Sequence, residues 1–571
     1  MRKVHRLLYS LAIFLSFCSQ PQRQPDEVRV RLSSDPQTLS PVNYSDSNGL
    51  QVINLLFHSL LGADLEDDQL KPVLAKSLPL IEQKDSVTLI TYELREEAEW
   101  TNGSPVTSDD IAFTLKVLKA PLVQNEMMKP QVAFIRDLIQ DKENKRRFTL
   151  VCDGFTPEME LLSGDFFILP AYLFDPENLL KSIPVAAFTD SLSKLENNKN
   201  VKAFAAWFNT PAFNNNGQTL QGSAGYLLEK WVPGQTLTLK QKKNWWGKEA
   251  KASNLTANPK RITLQVIPDN TTALLATKNG QLDVLSDIAA LEFDKLKSNK
   301  DFLKNYELHT PQSYSSVYVG INSRLPKFSD KQTRQAIAYL LDVANFIKVT
   351  QQQYATPTVG IIPPNVTAYY NTNLKPYAFN VTKAKQLLQA AGWQERNNGW
   401  FRTINGKEQP LTIAISYKAG NTVLESSALI FQQSAAKLNI PVQVEAQEGN
   451  LFNQNLKAHN FEVFLRTLTG NPFAFNFTAL LHTSFAEKGG TNYTGFGNAE
   501  SDALLQAINT APNPEQKALH LKKLQQVMQE EATFIPLYYQ KERIAIHKRF
   551  GNAKISGLKP NYDVSAFELK Q

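Results

Sequence analysis

The sequence predicts an α/β protein made of more than one compact unit. Three observations carry this. Residues 262–269 and 280–284 read as strands on either side of a Thr/Ala-rich helix, a strand–helix–strand unit that suits a parallel sheet. Glu27–Leu32 and Thr236–Gln241 alternate apolar and polar side chains, the period of half-buried strands. And 571 residues exceed the ~250–300 that a single hydrophobic core supports.

The chain opens as an export signal. Arg2, Lys3 and Arg6 precede an apolar run over residues 7–17, too short for the about 20 residues that cross a bilayer as a helix. Leu15-Ser16-Phe17-Cys18 resembles a lipobox, which makes Cys18 the expected lipidation site and residues 1–18 the signal segment. Phe17 stands where a small residue normally precedes that Cys, so a plain signal peptide cut nearby, or a short uncleaved anchor, stays open. Residues 19–26 are polar and Pro-rich, suited to a tether that lifts a domain off a membrane.

Beyond the tether the first strand, Glu27–Leu32, runs into a turn cluster at 35–41. Residues 52–61 then read as a buried helix. The stretch 94–111 packs three local events together. Asn102-Gly103 and Pro105 are turn chemistry. Thr107 or Ser108, with Asp109 and Asp110, marks a helix start. Ile111, Phe113, Leu115 and Leu118 give the helix a buried face. Residues 148–152 form a strand that carries Cys152, read as a buried, inert thiol.

Residues 181–221 hold few strong periods and read as helix pieces and loops. Residues 225–235 form a strand–turn–strand, followed by Lys243-Asn244-Trp245-Trp246-Gly247. A new block begins at 317–322, and residues 334–342 are helical with Asp330 as the cap. Residues 380–393, 498–502 and 535–539 continue the series, and no short-period repeat points to a solenoid.

Taken in order, these segments resemble the bacterial extracytoplasmic solute-binding proteins of the oligopeptide/dipeptide type, the capture subunits of ABC importers. The likeness rests on the "LR…W.dG.pvTa.Di" wording at 94–111, the opening order of strand, "DP.tL.P", helix and "P.LA.S", and the "vRqAl.yaiD" pattern at 334–342. Asn492-Tyr493 and Ile535-Pro536-Leu537-Tyr538-Tyr539 extend it, so that it covers residues 28–550.

The resemblance implies a two-lobed periplasmic-binding-protein fold (type II, cluster C-like) with a ligand cleft between the lobes. It places residues 27–309, including an extra subdomain, in lobe 1, residues 310–530 in lobe 2, and residues 531–571 back in lobe 1. It implies an exported, cell-envelope or periplasmic lipoprotein that works as a monomer with ABC permease subunits and needs no cofactor or metal. Its ligand would be an oligopeptide or peptide-like solute.

In the peptide binders of this family the specificity stretch corresponds to residues 447–471 here. The resemblance assigns ligand contact to Gly449, Leu468, Thr469, Gly470 and Asn471. Each departure from the family pattern removes something. Asn471 stands where an aspartate holds the peptide ammonium, Gly449 where a tryptophan stacks, and Leu468 where another aromatic sits. Leu456 and Leu465 fall where some members use arginines. Arg466, next to Leu465, points to the opposite face of a strand. The expectation is a less charged cleft than a free-peptide binder has, with saccharides and nickel chelates as alternative ligands. A surface or sensory lipoprotein that has lost transport is a further alternative.

Other classes find little support. The seven histidines are scattered without metal-ligand spacing, and no phosphate loop or nucleophile-elbow motif occurs. His482, just after the specificity stretch, is the residue a nickel-chelate reading would use. A net charge of +7 with no basic block interleaved with aromatics gives no nucleic-acid footprint.

Overall fold

The computed structural model describes residues 26–44, 46–125, 128–156 and 158–570. Cys18 and the rest of the signal segment, with the tether up to residue 25, lie outside the described residues. None of the described helices is long and apolar enough to cross a membrane.

Two large sheets organise the two lobes. The first runs in the order Tyr306–His309, Ile544–His547, Val284–Leu285, Glu27–Leu32, Arg261–Val266, Thr236–Gln241, Tyr226–Val232. Its centre is the anticipated strand–helix–strand unit. Arg261–Val266 and Val284–Leu285 are joined through the helix Asn270–Lys278, and Glu27–Leu32 sits between them, parallel to both. Val28, Val30, Ile262 and Leu264 lose all solvent contact there. A four-stranded antiparallel sheet (Leu80–Lys84, Val87–Glu93, Arg147–Asp153, Ile135–Gln140) shares a hydrophobic core with the first sheet. Cys152 is buried in it as a free thiol, and burial pushes its pKa up to about 12.

The second sheet runs Ala355–Pro357, Phe534–Lys541, Gln312–Ile321, Val463–Thr469, Ile413–Lys418, Val442–Gln447. Gly320 lies where the ring of Phe464 crosses the sheet: a Cβ there would sit 2.2 Å from the ring, so only glycine permits this approach.

Local chemistry explains several of the motifs. Asp110 accepts the Thr107 backbone N–H at 3.0 Å at the start of helix Ser108–Lys119. It also accepts Trp100 Nε1 at 3.2 Å and the Ala171 N–H at 3.1 Å. One buried carboxylate thus ties the turn, the helix and a distant loop together. Asp330 caps helix Lys331–Leu340 through the Thr333 N–H, and Arg334 pairs with Glu531 at 2.9 Å while donating to the Phe328, Ser329 and Glu531 carbonyls. Trp245 and Trp246 both donate to the Ser223 carbonyl.

Three expected boundaries shift. The helix expected at 52–61 spans Ser47–Leu56. Asp46 caps it through Gly49, Phe57 is extended, and Leu61 already opens a strand. The apolar run carries no breaker, so composition does not reveal this change. The helix expected at 334–342 ends at Leu340, because Asp342 is spent capping the next helix, Val343–Gln351. The return to the first lobe, expected at 531, comes later. Phe534–Lys541 pairs with Gln312–Ile321 in the second sheet, and the first sheet resumes at Ile544. A run as apolar as residues 535–539 is buried in either sheet, and only pairing decides which.

The sheets meet edge to edge. In the first, the parallel strands end at Leu32, Val266 and Leu285, and His309 and Ile544 lie on that same edge. In the second, the parallel strands end at Lys418, Gln447 and Thr469, with Gln312 and Lys541 beside them. Only Thr310 and Pro311 separate His309 from Gln312, and only Glu542 and Arg543 separate Lys541 from Ile544. The two crossings are joined, since the Glu542 N–H donates to the Pro311 carbonyl at 3.0 Å. Short connections from carboxyl edge to carboxyl edge leave the space between those edges as the natural ligand crevice.

Candidate functional site

Two cavities flank the junction. The smaller, about 300 Å³, belongs to the second lobe and is lined by Tyr314, Leu468, Thr469, Gly470, Asn471 and Phe475, among others. The larger, about 380 Å³, is lined mainly by the first lobe, including Tyr44, His58, Asp64, Asp165 and Asp563, and is met from the second lobe by Phe473. Both volumes fall within the roughly 300–1,000 Å³ of small-ligand pockets. The segment 471–474 runs between them: Asn471 and Ala474 face the smaller cavity and Phe473 the larger.

Four of the five expected contact residues are therefore brought to one wall. Strand alternation explains how. Val463 and Leu465 join the core on one face of the sheet, whereas Phe464, Arg466 and Leu468 turn to the other. Arg466 lies 5.6 Å from the Tyr493 ring centroid. Gly449 lines neither cavity. It opens the helix Gly449–Lys457 on the same sheet edge, where an added Cβ would sit 2.9 Å from the Lys418 stem.

Asn471 has a structural duty. Its Oδ1 accepts the N–H groups of Phe473 at 2.9 Å and Ala474 at 2.8 Å, which fixes the segment between the cavities. His482 is similarly engaged, its Nδ1 accepting the Ser484 N–H at 3.1 Å. Among the described residues no group of three or more His, Cys, Asp or Glu side chains is placed to hold a metal ion.

The larger cavity holds what the sequence pattern did not disclose. Asp165, the residue capping the end of helix Met159–Gly164, lines the cavity and is accessible from it. Removal from bulk water pushes its pKa up to about 7. Burial, with Asp165 nearby, raises Tyr44 to about 12. Burial, then Lys242 and Arg95, lowers His58 to about 3, so its imidazole is neutral. The lining of the smaller cavity, where Asn471 stands, carries no charged side chain, whereas that of the larger one includes Asp64, Asp165, Asp563 and Lys559. No local motif marks Asp165; its solitude is a property of the folded chain.

Comparison with known proteins agrees with this architecture. Residues 69–489 match the sequence model described as "Bacterial extracellular solute-binding proteins, family 5 Middle". The chain is 23% identical over 586 residues to the oligopeptide-binding protein AppA of Bacillus subtilis, covering 99% of this chain and 97% of the relative. The solved structure of AppA from Bacillus subtilis with a nonapeptide superposes with a TM-score of 0.67 at 20% identity, over 95% of this chain and 99% of that one. NikA from Brucella suis in complex with Fe(III)-EDTA gives 0.73 at 18% identity, over 95% and 100%. At these identities the solved structures establish the fold alone, the two-lobed α/β arrangement. The chain belongs to the bacterial extracellular solute-binding proteins of family 5, the substrate-binding components of ABC importers.

Proposed function

We propose that this protein captures a peptide or peptide-like solute between its lobes and delivers it to a membrane permease. The observation that supports this reading best is the crevice itself. Two carboxyl sheet edges face each other across two short, mutually hydrogen-bonded crossings, and pocket-sized cavities lie at the junction. Such crossings let two rigid bodies pivot, and a ligand held by both walls favours the closed form. The wide sequence overlap with an oligopeptide-binding protein favours a peptide over other solutes. Asn471, Leu468, Thr469 and Gly470 form the second-lobe wall in this reading, with Gly449 on the same sheet edge.

The same proposal includes an envelope location, with Cys18 as the lipid site and residues 19–26 as the tether. The experiment that tests the ligand class is mass spectrometry of material released when the purified protein is denatured. Peptides are expected. Recovery of a metal chelate or a saccharide instead would replace the peptide reading.

A further inference from the structure

One carboxylate on the larger cavity lacks the partner that its neighbours have. Three carboxylates line it, Asp64, Asp165 and Asp563, together with Lys559 and the neutral His58. Asp64 is paired with Lys71 at 2.8 Å and Lys554 at 3.6 Å. Asp563 accepts from Ser565 N at 3.0 Å, Ser565 Oγ at 2.6 Å and Thr256 Oγ1 at 3.2 Å. Lys559 is spent on Asp287 at 2.7 Å and Glu542 at 3.1 Å. Of the three carboxylates, only Asp165 has neither an ion pair nor a side-chain hydrogen bond to any described residue.

Its position adds to this. Asp165 follows the last turn of a helix, where the backbone carbonyls point and the dipole is negative. The chain there is held firmly. The Asp165 N–H donates to the Leu161 carbonyl at 2.9 Å, and the preceding Gly164 packs so closely on Leu61 that a Cβ would come within 2.5 Å of it. The carboxylate cannot swing away to find a partner by moving its backbone. Tyr44 stands beside it with its ring edge on Phe167, 5.8 Å between centroids, which adds an aromatic ring to the anionic corner. An unpaired carboxylate next to an aromatic ring suits a cationic nitrogen.

Other acidic groups near the specificity stretch are occupied. Glu462 is bound to Lys327 at 2.6 Å and accepts the Ala414 N–H. Glu448 accepts the N–H groups of Asn450 and Leu451 at the start of their helix.

We propose that Asp165, on the first-lobe wall, is the residue that anchors a cationic amine of the ligand, with Tyr44 flanking it, in place of a charge at position 471. The inference rests on the peptide reading above and assigns its charge recognition to the opposite lobe.

The test uses the full protein, unfolded and refolded to remove bound material. It is offered an equimolar synthetic pool of arginine-free tri- to pentapeptides with free amines, and the same pool after acetylation of every amine. Wild type is expected to retain free-amine peptides at least about tenfold better than acetylated ones, the scale of one charge-assisted contact. Asp165→Asn, nearly isosteric, is expected to bring that ratio close to one. Equal retention of both pools by wild type overturns the inference and leaves the peptide reading intact. So does an Asp165→Asn variant that keeps the wild-type ratio. Retention of neither pool by wild type overturns the peptide reading and this inference with it. The wild-type comparison stands even if the variant folds poorly.

Discussion

The Tyr314 hydroxyl donates a 2.7 Å hydrogen bond to Asp68, joining strand Gln312–Ile321 of the second sheet to the hairpin Leu61–Pro72 of the first lobe. Asp68 also accepts from Ser556, so three distant segments meet at one carboxylate. Tyr314 lines the smaller cavity, which places this link beside the ligand wall.

This link should hold the lobes in the arrangement seen here. Tyr314→Phe removes a hydrogen bond to a charged acceptor, of the order of 1.5–3 kcal/mol. Small-angle scattering of the ligand-free variant is expected to show a larger radius of gyration than wild type. An unchanged radius would show that the lobes do not depend on this contact.

Asp165 predicts an unusual pH dependence. Its folded pKa of about 7 lies above the ordinary value of 3.8. Between those values the folded state holds the proton that the unfolded state has lost, so stability falls as pH rises through the window. Ligand-free Asp165→Asn should therefore melt above wild type at pH 8 and at the same temperature near pH 3. A lower Tm at pH 8 would mean that the carboxylate stabilises the fold.

Asp283 is a stability anchor of the opposite kind. Fully buried, it receives Arg549 through Nε and Nη2, both at 2.9 Å, and the Arg29 N–H at 2.9 Å. It ties the returning C-terminal segment to the first sheet. Asp283→Ala removes the carboxylate that receives Arg549 and the Arg29 N–H, leaving the Glu27 carbonyl as an acceptor for Arg549, and should cost about 3–5 kcal/mol in chemical denaturation. A loss below about 1 kcal/mol would show that Arg549 finds another acceptor.

Anchoring has its own test. Cys18→Ser should move the protein from the membrane to the soluble fraction of its native host. Membrane retention of the variant, with no lipid label on wild type, would refute lipidation.

What the sequence made legible follows from where the information sits. Caps and alternation are local, so Asp330 before its helix, Thr107 with Asp110, and Glu27–Leu32 are readable from neighbours alone. The wall formed by residues 468–471 became visible only through family resemblance, because nothing local distinguishes it from another strand end. The sheet that holds Phe534–Lys541 is not legible locally, because its apolar side chains suit either sheet. Asp165 was missed for a deeper reason. An aspartate after a short helix is ordinary in sequence, and only the folded chain shows that it lines a cavity without a side-chain partner.

Ligand held between the lobes should draw them together. The direct measurement is small-angle scattering on protein stripped by unfolding and refolding, then titrated with the material it released. The radius of gyration is expected to fall on saturation, with a parallel rise in Tm by mass action. Tight binding, proven by calorimetry, that leaves the radius unchanged would contradict it.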